Sequence, residues 1–177
     1  MIRVLLAEDQ AMVRGALAAL LGREADIEVV AEVARGDMVV EAALISRPDV
    51  ALLDIEMPGG GGLEAAQALH TALPSCRVVI LTTFGRSGYL RRAMESGAVG
   101  FLLKDAPAAD LAVALRRVMV GERVVDPDLA VTSLSEGTNP LTNREHEVLS
   151  ASLFGARACL QIITKAESRQ ESPWPGS

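Results

Sequence analysis

The sequence predicts an α/β fold, a doubly wound five-stranded parallel sheet with helices on both faces. Two observations carry this expectation. Five short apolar runs recur at intervals of about 20–28 residues, and stretches with helical spacing lie between them. Each run is a near-continuous stretch of Val, Ile, Leu and Ala. Strands buried on both faces have this composition, whereas half-exposed strands alternate. Strand alternating with helix then means βαβ units closed by crossover helices.

The elements follow in order. Ile2–Ala7 reads as the first strand. Met12, Ala16 and Leu20 fall at helical spacing after it, with Val13, Leu17 and Leu21 widening the same stripe. Further strands are predicted at 28–33, 49–53, 77–81 and 99–103. Leu111, Leu115 and Val118 give a closing helix, with Pro107 near its start, where a missing N–H costs nothing. The unit closes near Gly121, so residues 1–120 form one domain. Residues 121–140 mix acidic residues, Pro and Gly with weak periodicity and read as a linker. Residues 141–177 open on a helix signal, with Thr142 as N-cap and Glu145 reaching back in a capping box. This segment reads as a short helical region with a frayed end at Ser172–Ser177.

Composition narrows the function classes. The 177 residues are 50% hydrophobic but only 3% aromatic, which disfavours a base-stacking or sugar-stacking surface. A net charge of −6 and a pI near 5.0 disfavour non-specific nucleic-acid binding by the whole chain. Cys76 and Cys159 make neither a disulfide framework nor a metal cluster. His70 and His146 lie far apart and lack ligand spacing, and the pairs Arg91-Arg92 and Arg116-Arg117 read as solvated helix faces. No apolar run approaches the roughly 20 residues needed to span a bilayer, and Met1-Ile2-Arg3-Val4 leaves no room for a leader. A soluble, cytoplasmic protein without a membrane partner is expected.

In an open α/β sheet, sites form beyond the carboxyl ends of the strands. Glu8 and Asp9 follow the first predicted strand, Asp54 the third, Thr82 and Thr83 the fourth, and Lys104 the fifth. Each alone has a plain reading as a cap or a solvated charge; together, on four strands, they define a metal-assisted phosphoryl site. Three carboxylates cannot ionise side by side without a cation. Mg²⁺ suits them, being hard and oxygen-liganded. Asp9 would hold it directly, Glu8 through water, and Asp54 and the backbone carbonyl of Glu56 would complete the set. Asp54 is then placed to act as a carboxylate nucleophile. Lys104 offers a point charge and Thr82 a hydroxyl to phosphoryl oxygens.

The motifs Leu6-Ala7-Glu8-Asp9-Gln10, Leu53-Asp54-Ile55-Glu56-Met57-Pro58, Gly62-Leu63-Glu64-Ala65-Ala66, Leu81-Thr82-Thr83-Phe84 and 97–105 resemble two-component response-regulator receiver domains. The resemblance covers residues 1–120. Lys104-Asp105, with Asn139-Pro140-Leu141-Thr142 after a linker, is similar to the NarL/FixJ group, whose members carry a LuxR-type helix-turn-helix. It implies a CheY-like, flavodoxin-like sheet of order 2-1-3-4-5 and a phosphoryl group taken by Asp54 from a sensor histidine kinase. It also implies Thr82 swinging toward the phosphate, Phe101 moving inward, homodimerisation on phosphorylation, and control of transcription at promoter DNA. Enzymatic turnover beyond autophosphorylation and autodephosphorylation at Asp54 is not implied. Phe101 has a plain reading beside this one, as a half-buried strand aromatic.

The chain departs from the pattern in two places. Gly59–Gly62 is a run of four where the family has one glycine, at Gly62, and a floppy loop beside Asp54 is expected from it. The LuxR-type module needs four helices in roughly 60 residues, yet Thr142–Ser177 supplies 36, and the match stops after Ser152. Residues 121–177 also carry 5 Lys+Arg against 8 Asp+Glu, where a DNA-binding module needs a basic face. The expectation is a module truncated or frameshifted after about Ser152, with weak or no DNA binding by this chain. A haloacid-dehalogenase-like phosphatase would need a second Asp two residues after the nucleophile, where this chain has Glu56. The alternative reading is a dimerising receiver acting as an interaction or inhibitory module without DNA output.

Overall fold

The computed structural model describes residues 1–83, 87–105 and 108–127. The strands are β1 (Ile2–Ala7), β2 (Ile27–Val33), β3 (Val50–Asp54), β4 (Arg77–Thr82), β5 (Gly100–Leu103) and β6 (Val124–Val125). The helices are α1 (Ala11–Leu21), α2 (Val39–Ser46), α3 (Gly61–Ala72), α4 (Ser87–Glu95) and α5 (Ala108–Met119). All strand pairs are parallel, in the order β2-β1-β3-β4-β5-β6. The doubly wound, CheY-like architecture and the order 2-1-3-4-5 are as the sequence predicts.

The sheet separates two cores because successive side chains of a strand point to opposite faces. On one face Leu5, Leu53, Ile80 and Phe101 pack with Leu63 and Leu69 of α3 and Leu90 of α4. On the other, Leu6, Leu52, Leu81 and Leu102 meet Leu17 and Leu21 of α1 and Leu111, Leu115 and Val118 of α5. Every residue of β3 is buried, which accounts for its unbroken apolar run up to Asp54.

Three sequence expectations change. The sheet gains a sixth strand inside the segment read as a linker. Val124 pairs with Gly100 and Val125 with Phe101, and the Asp126 N–H donates to the Phe101 carbonyl at 2.9 Å. Two residues are too short to carry a periodicity signal. On α1 the buried stripe is Leu17–Leu21, with Val13 packed beside it, while Met12 is 87% exposed and Leu20 39%. The two stripes are adjacent and equally apolar, so spacing alone could not choose between them. The arginine pairs, exposed in α4 and half-buried in α5, also form ion pairs. Arg91 pairs with Glu95, Arg92 with Glu64, Arg116 with Glu24 and Asp26, and Arg117 with Glu122. The expectations for Pro107, residues 128–140 and the segment 141–177 lie outside the described residues.

Candidate functional site

Parallel registration brings the strand ends level. Ala7 lies opposite Leu53, Asp54 opposite Leu81, and Thr82 opposite Leu103. Glu8 therefore emerges beside Asp54, and Lys104 just beyond Thr82, with the Lys104 N–H donating to the Thr82 carbonyl at 2.8 Å. The chain leaves β1 toward β2 on one side, while β3 lies on the other. The acids thus straddle the point where strand order reverses, where open α/β sheets place their sites.

The side chains converge. One carboxylate oxygen from each of Glu8, Asp9 and Asp54 lies within 4.8 Å of the others. The Lys104 ammonium stands 2.6 Å from Glu8 Oε2 and 2.9 Å from Asp54 Oδ2, and all three side chains are almost completely buried. Asp9 is exposed at the mouth. Burial pushes the carboxyls of both Glu8 and Asp54 above their ordinary values, and the Lys104 hydrogen bonds only partly oppose it. Burial pulls Lys104 down, but the two carboxylates outweigh it and carry its ammonium upward. The Glu56 N–H donates to the Asp54 carboxylate, while the Glu56 side chain is exposed.

Two features hold this geometry, one that the sequence reading noted for another reason and one that it did not identify. Gly62, in the first turn of α3, lies against the end of β3: a Cβ there would stand 1.9 Å from the Asp54 carbonyl oxygen. Gly59 has φ +80°, and a Cβ on it would meet the Asp37 carboxylate at 2.6 Å. The glycine run is thus imposed by backbone shape and close approach, a different reason from the floppiness expected. The second feature is Arg14 on α1, which donates to the Glu8 carbonyl at 2.6 Å and reaches the Asp9 carbonyl at 3.5 Å. Nothing in its spacing separates it from a solvated helix arginine.

Thr82 is buried at the end of β4. Phe101 is fully buried between Ile80 of β4 and Val125 of β6, its registered partners. The half-buried reading of Phe101 is therefore corrected: its side chain is fully buried. Cys76 is a free thiol that burial pushes up to about 12, which keeps it inert. Among the described residues no helix is long and apolar enough to cross a membrane, and no other group of three His, Cys, Asp or Glu could hold a metal ion.

The donor set fits a hard divalent cation. It offers carboxylate oxygens only, and the single cation among them is the Lys104 ammonium, 2.6 Å from Glu8 Oε2 and 2.9 Å from Asp54 Oδ2. Three acids against one lysine leave negative charge in excess.

Fold and site together define a receiver domain. Residues 4–116 match the model of the response regulator receiver domain, and the chain belongs to that family. The transcriptional regulatory protein DesR of Bacillus subtilis (strain 168) is 49% identical over 149 residues, 84% of this chain and 73% of DesR. The oxygen regulatory protein NreC of Staphylococcus epidermidis (strain ATCC 35984) is 36% identical over 151 residues, 85% of this chain and 68% of NreC. Among solved structures, a LuxR-family two-component response regulator from Aurantimonas sp. SI85-9A1 superposes with a TM-score of 0.72 at 30% identity. That match covers 76% of this chain and 96% of the neighbour. The chain is thus a two-component response regulator of the class that regulates transcription.

Proposed function

We propose that Asp54 is the phosphoacceptor of this regulator and that Lys104, Thr82, Glu8 and Asp9 serve it. The observation that carries this is the Asp54 carboxylate itself. It is nearly buried at the end of the central strand, 2.9 Å from an ammonium and in reach of two further carboxylates. The donor is the phosphohistidine of a sensor kinase. An Asp54 oxygen forms the new P–O bond while the donor's P–N bond breaks, its electron pair returning to the imidazole nitrogen. Lys104 lies where it meets the phosphoryl oxygens, and Thr82 offers its hydroxyl from the next strand. Glu8, Asp9, Asp54 and the Glu56 carbonyl would hold Mg²⁺, which when bound neutralises the acids and the incoming charge.

The output is a conformational change that alters self-association and, through it, transcription. New charge-assisted bonds to the phosphate bias the two-state element, with Thr82 moving toward it and Phe101 held inward. Residues 1–120, extended by β6 to Val125, act as the receiver and the remainder of 121–140 as the connection to the segment 141–177. That segment carries four Lys+Arg against four Asp+Glu, so it lacks the basic excess of a DNA-binding module and contributes little operator affinity by itself. Self-association is supported by the outward face of α1, where Met12, Ala16, Ala19 and Leu20 are exposed without a charge among them. The setting is cytoplasmic.

Beryllium fluoride with Mg²⁺ mimics the phosphoryl group and tests this reading by light scattering. Wild type is expected to shift toward dimer, and Asp54→Asn to stay unchanged. No shift in wild type would refute the switching part of the proposal.

A further inference from the structure

We infer that Arg14 is a positioning residue for the cation site, fixing the main chain of Glu8 and Asp9 from behind. The inference rests on the reading of Glu8, Asp9 and Asp54 as cation ligands. Arg14 lies one turn into α1, and its own N–H donates to the Gln10 carbonyl at 2.9 Å, which anchors the helix start next to the acids. Its guanidinium turns back to the Glu8 carbonyl at 2.6 Å, with the Asp9 carbonyl at 3.5 Å. On its far side Arg14 Nε stands 3.6 Å from Glu32 Oε2 of β2, and the arginine side chain is only 21% exposed.

The turn between β1 and α1 is therefore held at three points. The Glu8 N–H donates to Val33, the Gln10 N–H donates to Glu8 Oε1 at 3.3 Å, and Arg14 grips the carbonyls. Of the three, only the Arg14 contact brings a cation to the turn. Aimed at main-chain oxygens, it fixes where the two carboxylates start from and leaves their side-chain oxygens to a cation. A planar fork that reaches two carbonyls and one carboxylate suits the task better than an ammonium. Groups that orient ligands without touching the ion typically change its affinity by roughly 10–100-fold.

The test is calorimetric titration of the full chain with MgCl₂, for wild type, Arg14→Met, Arg14→Lys and Glu32→Gln, with the folded fraction of each set by circular dichroism. Arg14→Met is expected to bind Mg²⁺ about tenfold more weakly while remaining folded. Arg14→Lys should recover part of that loss, and Glu32→Gln should lose less than Arg14→Met. A merely structural arginine would lower the melting temperature in chelator but leave the dissociation constant of the folded protein where it was. An unchanged constant in Arg14→Met overturns the inference. Should Arg14→Met fail to fold, unchanged constants in both Arg14→Lys and Glu32→Gln overturn it equally. Wild type that takes up no Mg²⁺ would refute the cation reading itself, a separate result from equal binding by wild type and variant.

Discussion

Two clusters of the same make-up sit at different places on this molecule. At the carboxyl edge of the sheet Lys104 meets Glu8 and Asp54; near the start of β2, Arg116 of α5 meets Glu24 and Asp26. Each pairs one cation with two carboxylates, yet Asp26 of the one and Asp54 of the other shift in opposite directions. The Arg116 hydrogen bond holds Asp26 below its ordinary value of 3.8, whereas burial drives Asp54 above that same value. The difference is solvent. A surface cluster keeps the hydration of its charges and gains little, while a buried one gives up hydration that its own lysine does not replace. The surface cluster tethers α5 to the turn between α1 and β2; the buried cluster is left wanting another cation.

The largest expected effect comes from breaking the buried cluster. Lys104→Met leaves two buried carboxylates unpaired and should cost about 3–5 kcal/mol of stability, read as a drop in the urea midpoint. Arg116→Met is exposed and should move the midpoint far less. Equal losses would erase the contrast.

Gly62→Ala comes next. Its methyl meets main chain that cannot rotate away, so a loss of about 2–3 kcal/mol is expected. Thermal melts of the purified variant check this, and a wild-type melt would show that α3 can retreat from Asp54.

The two clusters should also separate by pH. Between the ordinary and the raised values of Glu8 and Asp54, the folded state binds more protons at these groups than the unfolded chain does. The contribution of these groups therefore falls as pH rises from the ordinary carboxylate range through their raised values, and acidification restores it. Asp26 runs the other way: its contribution is present above 3.8 and is lost as pH falls through its lowered value. The Lys104 contribution is full below 10.5 and disappears as pH climbs through its raised value. Asp54→Asn in metal-free buffer should thus show a flatter slope than wild type between mildly acidic and neutral pH. Denaturation series at several pH values measure both slopes.

The smallest effect is that of the ligand. Mg²⁺ at ten times its dissociation constant should stabilise the folded wild type by about 1.4 kcal/mol, and Asp54→Asn by less. Thermal shifts with and without chelator are sufficient to detect it.

Much of the site is legible in the sequence. Glu8, Asp9, Asp54, Thr82 and Lys104 stand at the ends of apolar runs, and parallel strands need only be level for those ends to meet. What escaped is what periodicity cannot encode. The choice between Met12–Leu20 and Leu17–Leu21 depends on how α1 rolls against the sheet. β6 is held by pairing to β5 across 24 residues of chain. The reason for Gly59 and Gly62 lies in main chain and side chains from elsewhere, the Asp54 carbonyl and Asp37. Arg14 gains its place from two carbonyls that no composition count sees.

The most direct test of the central claim is the intact mass of the protein after incubation with acetyl phosphate and Mg²⁺. The account predicts one added phosphoryl group on wild type, and none on Asp54→Asn or in the presence of chelator. A phosphoryl group carried equally by Asp54→Asn, or none on wild type, would contradict it.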